Sequence, residues 1–146
     1  MSLNTSTLQA TPSLLVDLSN TNLGTPLTFL GGITSAGNDL YVADRRADAV
    51  FKITLDGNGD FSSIAQVIGG LNEPENLIFN PFTGKLVIDV RDDLNNPMIV
   101  QCNLDGTGLE VLAAGFHARG FEIVPSPATF ALLGLGTVVG ARRRRA

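Results

Sequence analysis

Apolar and polar positions alternate along this chain in short runs rich in β-branched and aromatic residues, which predicts strands and no helix before the tail. Residues 29–35, 40–43 (L-Y-V-A), 49–55 (A-V-F-K-I-T-L) and 63–68 (S-I-A-Q-V-I) predict four strands. Turn formers divide them: 36–39, Asp44-Arg45-Arg46, Asp56-Gly57-Asn58-Gly59-Asp60 and Gly69-Gly70. The pattern then returns. Residues 75–79 (E-N-L-I-F), 86–90 (L-V-I-D-V), 98–104 (M-I-V-Q-C-N-L) and 109–112 predict four more strands. They are separated by 80–84 (N-P-F-T-G), by Arg91-Asp92-Asp93 with Asn95-Asn96-Pro97, and by Asp105-Gly106-Thr107-Gly108. A stray strand is expected at 13–18 (S-L-L-V-D-L), before the turn-rich 19–26. Residues 119–124 (R-G-F-E-I-V) open a third unit.

The two units share a register. Leu40 returns as Leu86 after 46 positions, Leu55-Asp56-Gly57 as Leu104-Asp105-Gly106 after 49, and Pro81 as Pro125 after 44. Four short strands per repeat of this length is the signature of a β-propeller blade. An antiparallel sandwich with similarly spaced turns is the alternative. The expectation is an all-β chain of about two four-stranded propeller-like blades over 26–124, with a leader and stray strand over 1–25 and a hydrophobic helix after them. Two blades do not close a ring. Open edges and apolar blade faces invite self-association, or imply blades missing from this chain.

At the residue level the repeats resemble the propellers with NHL, SMP-30-like and YWTD-type repeats. The matching pieces are N-E-P-E-N-L-I-F-N-P-F-T-G-K-L-V-I-D (72–89), N-L-D-G-T-G-L-E-V-L (103–112) and F-H-A-R-G-F-E-I-V-P (116–125). The resemblance covers 26–125 and implies architecture; such propellers include enzymes, binders and scaffolds.

Charge and glycine content narrow the partners. The chain has 146 residues, 44% of them hydrophobic, with 16 glycines and 7 prolines, which fits one turn-rich domain and not a disordered chain. Before Arg142 there are six basic and fourteen acidic residues, a net charge of −8. An acidic body is a poor nucleic-acid binder, so none is expected. The single Cys102 permits no internal disulfide and sits in an alternating run, as a small core residue does.

The tail is built differently. Val124, Pro125, Ser126 and Pro127 form a stiff opening, since two prolines remove two backbone donors and fix φ. Residues 128–141 carry no charge, and Arg142, Arg143, Arg144 and Arg145 follow them. Fourteen helical residues span about 21 Å, short of a hydrocarbon core roughly 30 Å thick. On length alone a buried terminal element with a basic tip competes with an anchor. Four positive charges directly after the apolar run suit a cytoplasmic stop, with the arginines snorkelling to the interface. This tail resembles the PEP-CTERM sorting signal of bacterial exosortase substrates: a Pro-Glu-Pro motif, a short membrane segment and an arginine-rich end. Pro125 and Pro127 match the two prolines, and Ser126 stands where the family has Glu. The resemblance implies export, transient anchoring in the inner membrane, cleavage near the motif by an exosortase-like enzyme, and a final place at the cell surface or outside. The first residues, M-S-L-N-T-S-T-L-Q-A-T-P, show no basic n-region and no apolar h-region. The expectation is that this chain begins downstream of its export signal.

Candidate chemistry is sparse. Asp56-Gly57-Asn58-Gly59-Asp60 begins like a calcium loop, but Phe61 and Val67 occupy the positions where an EF-hand needs glycine and an acid; a turn explains it without an ion. Glu73, Glu75 and Asn76 precede the first strand of the second unit, a place that faces the channel of a closed propeller. The SMP-30-like lactonases hold a divalent metal there with Glu, Asn and Asp side chains; no ligand set is carried over. His117 is the only histidine, so one chain builds no His-based dyad. Asp44-Arg45-Arg46 and Arg91-Asp92-Asp93 occupy corresponding loops and read as solvated ion pairs. The expectation is a non-catalytic, exported envelope or matrix protein without metal or cofactor. Its propeller piece would bind a polysaccharide or protein ligand, or act as a scaffold. The alternative is a truncated lactonase-like hydrolase using a divalent metal.

Overall fold

The computed structural model describes residues 14–18, 27, 29–115, 118 and 120–124. Every named element among them is a strand: β1 (Leu30–Ala36), β2 (Asp39–Asp44), β3 (Ala49–Leu55), β4 (Phe61–Gly69), β5 (Leu77–Asn80), β6 (Lys85–Arg91), β7 (Pro97–Asn103) and β8 (Glu110–Ala114). They form two four-stranded sheets in the orders β1-β2-β3-β4 and β5-β6-β7-β8, each an antiparallel meander. The architecture is all-β and propeller-like. Among the described residues no helix is long and apolar enough to cross a membrane. The expected terminal helix falls outside the described residues.

Hairpin turns fix the meanders. Asp56 N–H donates to the Asp60 carbonyl at 2.8 Å, and Gly59 N–H to the Asp56 carbonyl at 3.1 Å. The same pair of bonds closes 92–96, at 2.8 and 2.9 Å, and 103–107, at 2.8 and 2.9 Å. In each turn the fourth residue lies in the left-handed region: Gly59 at φ 87°, Asn95 at 65° and Gly106 at 81°. Glycine carries no Cβ penalty there, and asparagine tolerates the conformation better than most side chains.

Strand register keeps the 49-residue correspondence, but the turns that follow it are placed differently. Strand pairing sets Val42 opposite Phe51 and Ile88 opposite Val100, so Phe51 and Val100 are counterparts. The turn begins at Asp56 in the first blade and at Asn103 in the second. Leu55-Asp56-Gly57 thus enters its turn, whereas Leu104-Asp105-Gly106 lies inside one. The β3–β4 hairpin is the longer of the two.

The packing between sheets follows from strand alternation. Tyr41, Ala43 and Val50 of the first sheet share one buried cluster with Leu71, Leu77, Leu86, Ile88, Val90, Val100 and Cys102. On β2 the cluster takes Tyr41 and Ala43 and leaves out Val42 and Asp44; on β6 it takes Leu86, Ile88 and Val90 and leaves out Val87 and Asp89. Because Leu40 and Leu86 are counterparts, the two blades bring opposite faces to their seam. Each blade therefore has a front and a back, and the front of one meets the back of the next. Burying a side chain such as Ile88 contributes about 1.5–3 kcal/mol.

The seam also needs close backbone approach. Gly32 N–H donates to the Glu75 carbonyl, and Phe79 N–H to Thr34 Oγ1 at 3.1 Å. A Cβ on Gly31 would collide with the Glu75 carbonyl, and one on Gly32 would sit 2.7 Å from Leu77 N. The glycine pair lets β1 lie against the chain leading into β5.

The outward face of the first blade is covered by the chain itself. Leu27, Ala49 and Phe51 form a second buried cluster, with Leu18, Ala47 and Ile64 against it. The strand expected at 13–18 is not one: the described residues 14–18 join no sheet. Leu18 accepts a hydrogen bond from Leu27 N–H at 3.2 Å and serves as an apolar plug. Residues 120–124, part of the segment expected to open a third unit, join no ladder either. Asn76 Nδ2 donates to the Ala118 carbonyl at 2.8 Å and ties that segment to the start of β5.

Candidate functional site

The two charged loops that looked separate in the sequence meet at the seam. Arg45 Nη2 lies 2.6 Å from Glu73 Oε2, Arg45 Nη1 lies 2.9 Å from Glu75 Oε1, and Arg91 Nε lies 2.8 Å from Glu73 Oε2. Arg45 follows β2 of the first blade and Arg91 ends β6 of the second, so Glu73 is gripped from both sheets and Glu75 from the first. These side chains are partly buried, which screens the pairs less than full exposure would.

Local backbone chemistry places each member. Asp44 is fully buried at the end of β2. Its Oδ1 accepts from Arg46 N–H at 2.8 Å and Ala47 N–H at 2.9 Å, and its Oδ2 accepts from Phe29 N–H at 3.4 Å. Arg45 N–H donates to the Phe29 carbonyl at 3.0 Å. One carboxylate therefore fixes the β2–β3 turn and the approach to β1 together. On the other side, Asp48 Oδ1 accepts from Glu73 N–H at 3.1 Å, and its carbonyl from Leu71 N–H at 2.9 Å. Asp48 and Glu73 both hold positive φ, 50° and 47°. Such conformations persist only where surrounding contacts determine them.

The electrostatics match this geometry. A hydrogen bond from Arg45, with the charges of Arg45 and Arg91 behind it, holds the Glu73 carboxyl below its ordinary range. The Arg45 guanidinium also lies 5.8 Å from the centroid of the Phe29 ring, a cation–π contact. Phe29, Arg45, Arg46 and Glu73 line a cavity of about 330 Å³.

The other sequence candidates resolve as follows. Asp56 Oδ1 accepts from Asn58 N–H at 2.8 Å and Asp60 N–H at 3.0 Å, so its carboxylate shapes the turn, and those bonds lower its pKa. Among the described residues no three His, Cys, Asp or Glu side chains gather as metal ligands. Cys102 is buried in the seam, and burial pushes its thiol up. Asn76 turns to Ala118 and leaves Glu73 and Glu75 to the arginines. Val124 is exposed. Pro125, Ser126, Pro127, His117 and Arg142 to Arg145 lie outside the described residues. Sequence reasoning missed Phe29 and the joining of Arg45 to Glu73. The signal available was the repeat itself, which puts Arg45 and Arg91 at matching strand ends.

No protein-family model matches the chain, and no curated protein matches it. Among solved structures, a chain in the crystal structure of a nidogen/laminin complex is similar at 24% identity and a TM-score of 0.49. The match covers 58% of this chain and 32% of that one, so this chain spans about a third of its neighbour's length.

Proposed function

We propose that this is an exported, non-catalytic protein of the cell envelope or extracellular matrix, whose two blades bind or scaffold and whose tail directs sorting. The observation that carries the non-catalytic part is the state of Glu73 and Glu75. In a propeller hydrolase of the lactonase type, acids at this place would take a divalent metal. Here both are held by arginine, with Glu73 contacted from two sides. A cation would have to displace Arg45 and Arg91 and leave partly buried guanidinium groups without their partners. The arrangement suits a rigid binding surface.

Sorting rests on the tail, where Pro125-Ser126-Pro127, the uncharged run and Arg142 to Arg145 follow one another in the order of the PEP-CTERM signal. The partners in this reading are an exosortase-like enzyme and, transiently, the inner membrane, with the arginines on the cytoplasmic side.

Two experiments test it. The tail from Val124 onward, fused to an exported reporter, should pass through the membrane fraction and then appear at the surface, shortened. A soluble reporter with its tail intact would overturn the sorting reading. The purified full chain should hydrolyse no lactone above a chelated control when divalent metals are supplied. Metal-dependent turnover would overturn the non-catalytic reading and favour the hydrolase.

A further inference from the structure

We propose that the recess between Phe29 and Arg46 binds one pyranose unit of a neutral polysaccharide. This deepens the binding reading above and rests on it. The recess is amphipathic. Phe29 is 56% exposed and gives an apolar floor, although its backbone is pinned at both polar atoms, by Asp44 and Arg45. Around it stand a donor and an acceptor: Arg46, whose side chain makes no ion pair among the described residues, and Glu73. The cavity of about 330 Å³ is of single-ring size.

The ligand must match an apolar floor and a rim of both hydrogen-bonding kinds. A pyranose does so, with axial C–H groups on one face and hydroxyls around its edge that donate and accept. A wholly apolar ligand would desolvate Arg46 and Glu73 with nothing in return. A metal would compete with Arg45 and Arg91 for Glu73. A polyanion would approach a body carrying a net charge of −8 before Arg142, which repels it. The neutral sugar is the class that remains.

Preorganisation strengthens the case. Asp44 holds the backbone of Arg46 and Phe29, Asp48 holds Glu73, and Glu73 and Glu75 hold Arg45. Little side-chain freedom is left to lose on binding except at Arg46. One subsite of this size binds weakly. A polymer of repeating units met by many copies at a surface raises the effective affinity without new contacts.

The test is a nuclear magnetic resonance titration of the full chain in a phosphocholine detergent, which carries no sugar headgroup. Cellohexaose, laminarihexaose and mannohexaose are the probes, with an alginate oligomer as the anionic control. Saturable shifts are expected at the Phe29 ring protons and the Arg46 Nε–H with at least one of them. Phe29→Ala should weaken that binding by about tenfold, Phe29→Tyr should keep it because the ring face remains, and Arg46→Ala should weaken it less. The proposal fails if no probe moves both groups. It also fails if Phe29→Ala, with its strand amides unchanged, binds as well as the parent, or if only an alginate oligomer shifts them. A tail that sorts correctly in a chain without sugar shifts would sink this inference alone. Sugar shifts in a chain that is never sorted would sink the sorting reading alone.

Discussion

The two blades have the same strand order and hairpin logic, yet they meet different surroundings. At matching positions on the second strand, Val42 and Asp44 of the first blade stand where the second has Ile88 and Val90. Ile88 and Val90 pack into the seam against the other blade. The matching face of the first blade instead receives Leu18 and Leu27, and its buried Asp44 organises Phe29, Arg46 and Ala47. The repeat is thus a repeat of pairing geometry. What each face does depends on what covers it: in one blade it makes the core, and in the other its Asp44 holds one wall of the recess beside Phe29.

That contrast can be broken most strongly at the seam. Ile88→Ala should cost about 2–5 kcal/mol, the range for deleting a buried aliphatic side chain. Val42→Ala at the matching place, buried but in neither cluster, loses two methyl groups at ~0.8 kcal/mol each. Chemical denaturation of both variants checks the order. An equal cost would mean that the two faces are packed equally firmly.

Gly31→Ala comes next. The new methyl meets the Glu75 carbonyl, a backbone atom that cannot rotate aside. Overpacking of this kind costs about 1–3 kcal/mol. Gly37→Ala serves as the control. It has φ 63° but nothing within contact distance of an added Cβ, so it isolates backbone strain from collision.

The ionic clasp should show itself in acid. Glu73 is depressed below its ordinary range in the folded state, first by its hydrogen bond with Arg45. Its contribution is therefore complete above the pKa of the unfolded chain and is lost as pH falls through the lower folded value. Glu73→Gln should lower stability at neutral pH, where the ionised carboxylate contributes in full, and flatten the fall across that acidic window, so that parent and variant converge in acid. A parallel pH profile for parent and variant would place the acid sensitivity elsewhere, for instance at Asp92 or Asp105, which are also depressed.

The smallest effect is kinetic. Cys102 is fully buried, its thiol pushed up by burial, and should react with a maleimide only when the seam opens. Ile53 is its counterpart in the first blade, paired with Leu40 as Cys102 is with Leu86. An Ile53→Cys, Cys102→Ser chain compared with the parent reports whether the blades open together. Equal labelling rates mean one cooperative unit, and a faster Ile53→Cys means that the plugged face opens alone.

Much of this was legible in the chain. Alternation in A-V-F-K-I-T-L and M-I-V-Q-C-N-L marked β3 and β7, and Asp-Gly and Asn-Pro clusters marked the turns, because both signals are local. Residues 13–18 misled: a short apolar run of that length pairs as a strand only if a neighbour offers a free edge, and Leu18 plugs a face instead. The 49-residue match at Leu-Asp-Gly held in strand register, as Phe51 and Val100 show, while the hairpins beyond it differ in length.

The sequence by itself determined strand identity, turn placement, the two-blade repeat and the acidic body, since backbone sterics and alternation act between residues a few positions apart. It also determined that each strand has two unlike faces. Only the tertiary structure decided which face turned to the seam, because period-two alternation divides residues into two sets without saying which set is covered. Only it joined Arg45 to Glu73, 28 positions apart, beside Phe29: charge pairs in water carry too little energy to choose partners at that distance, and packing of the two sheets chose for them.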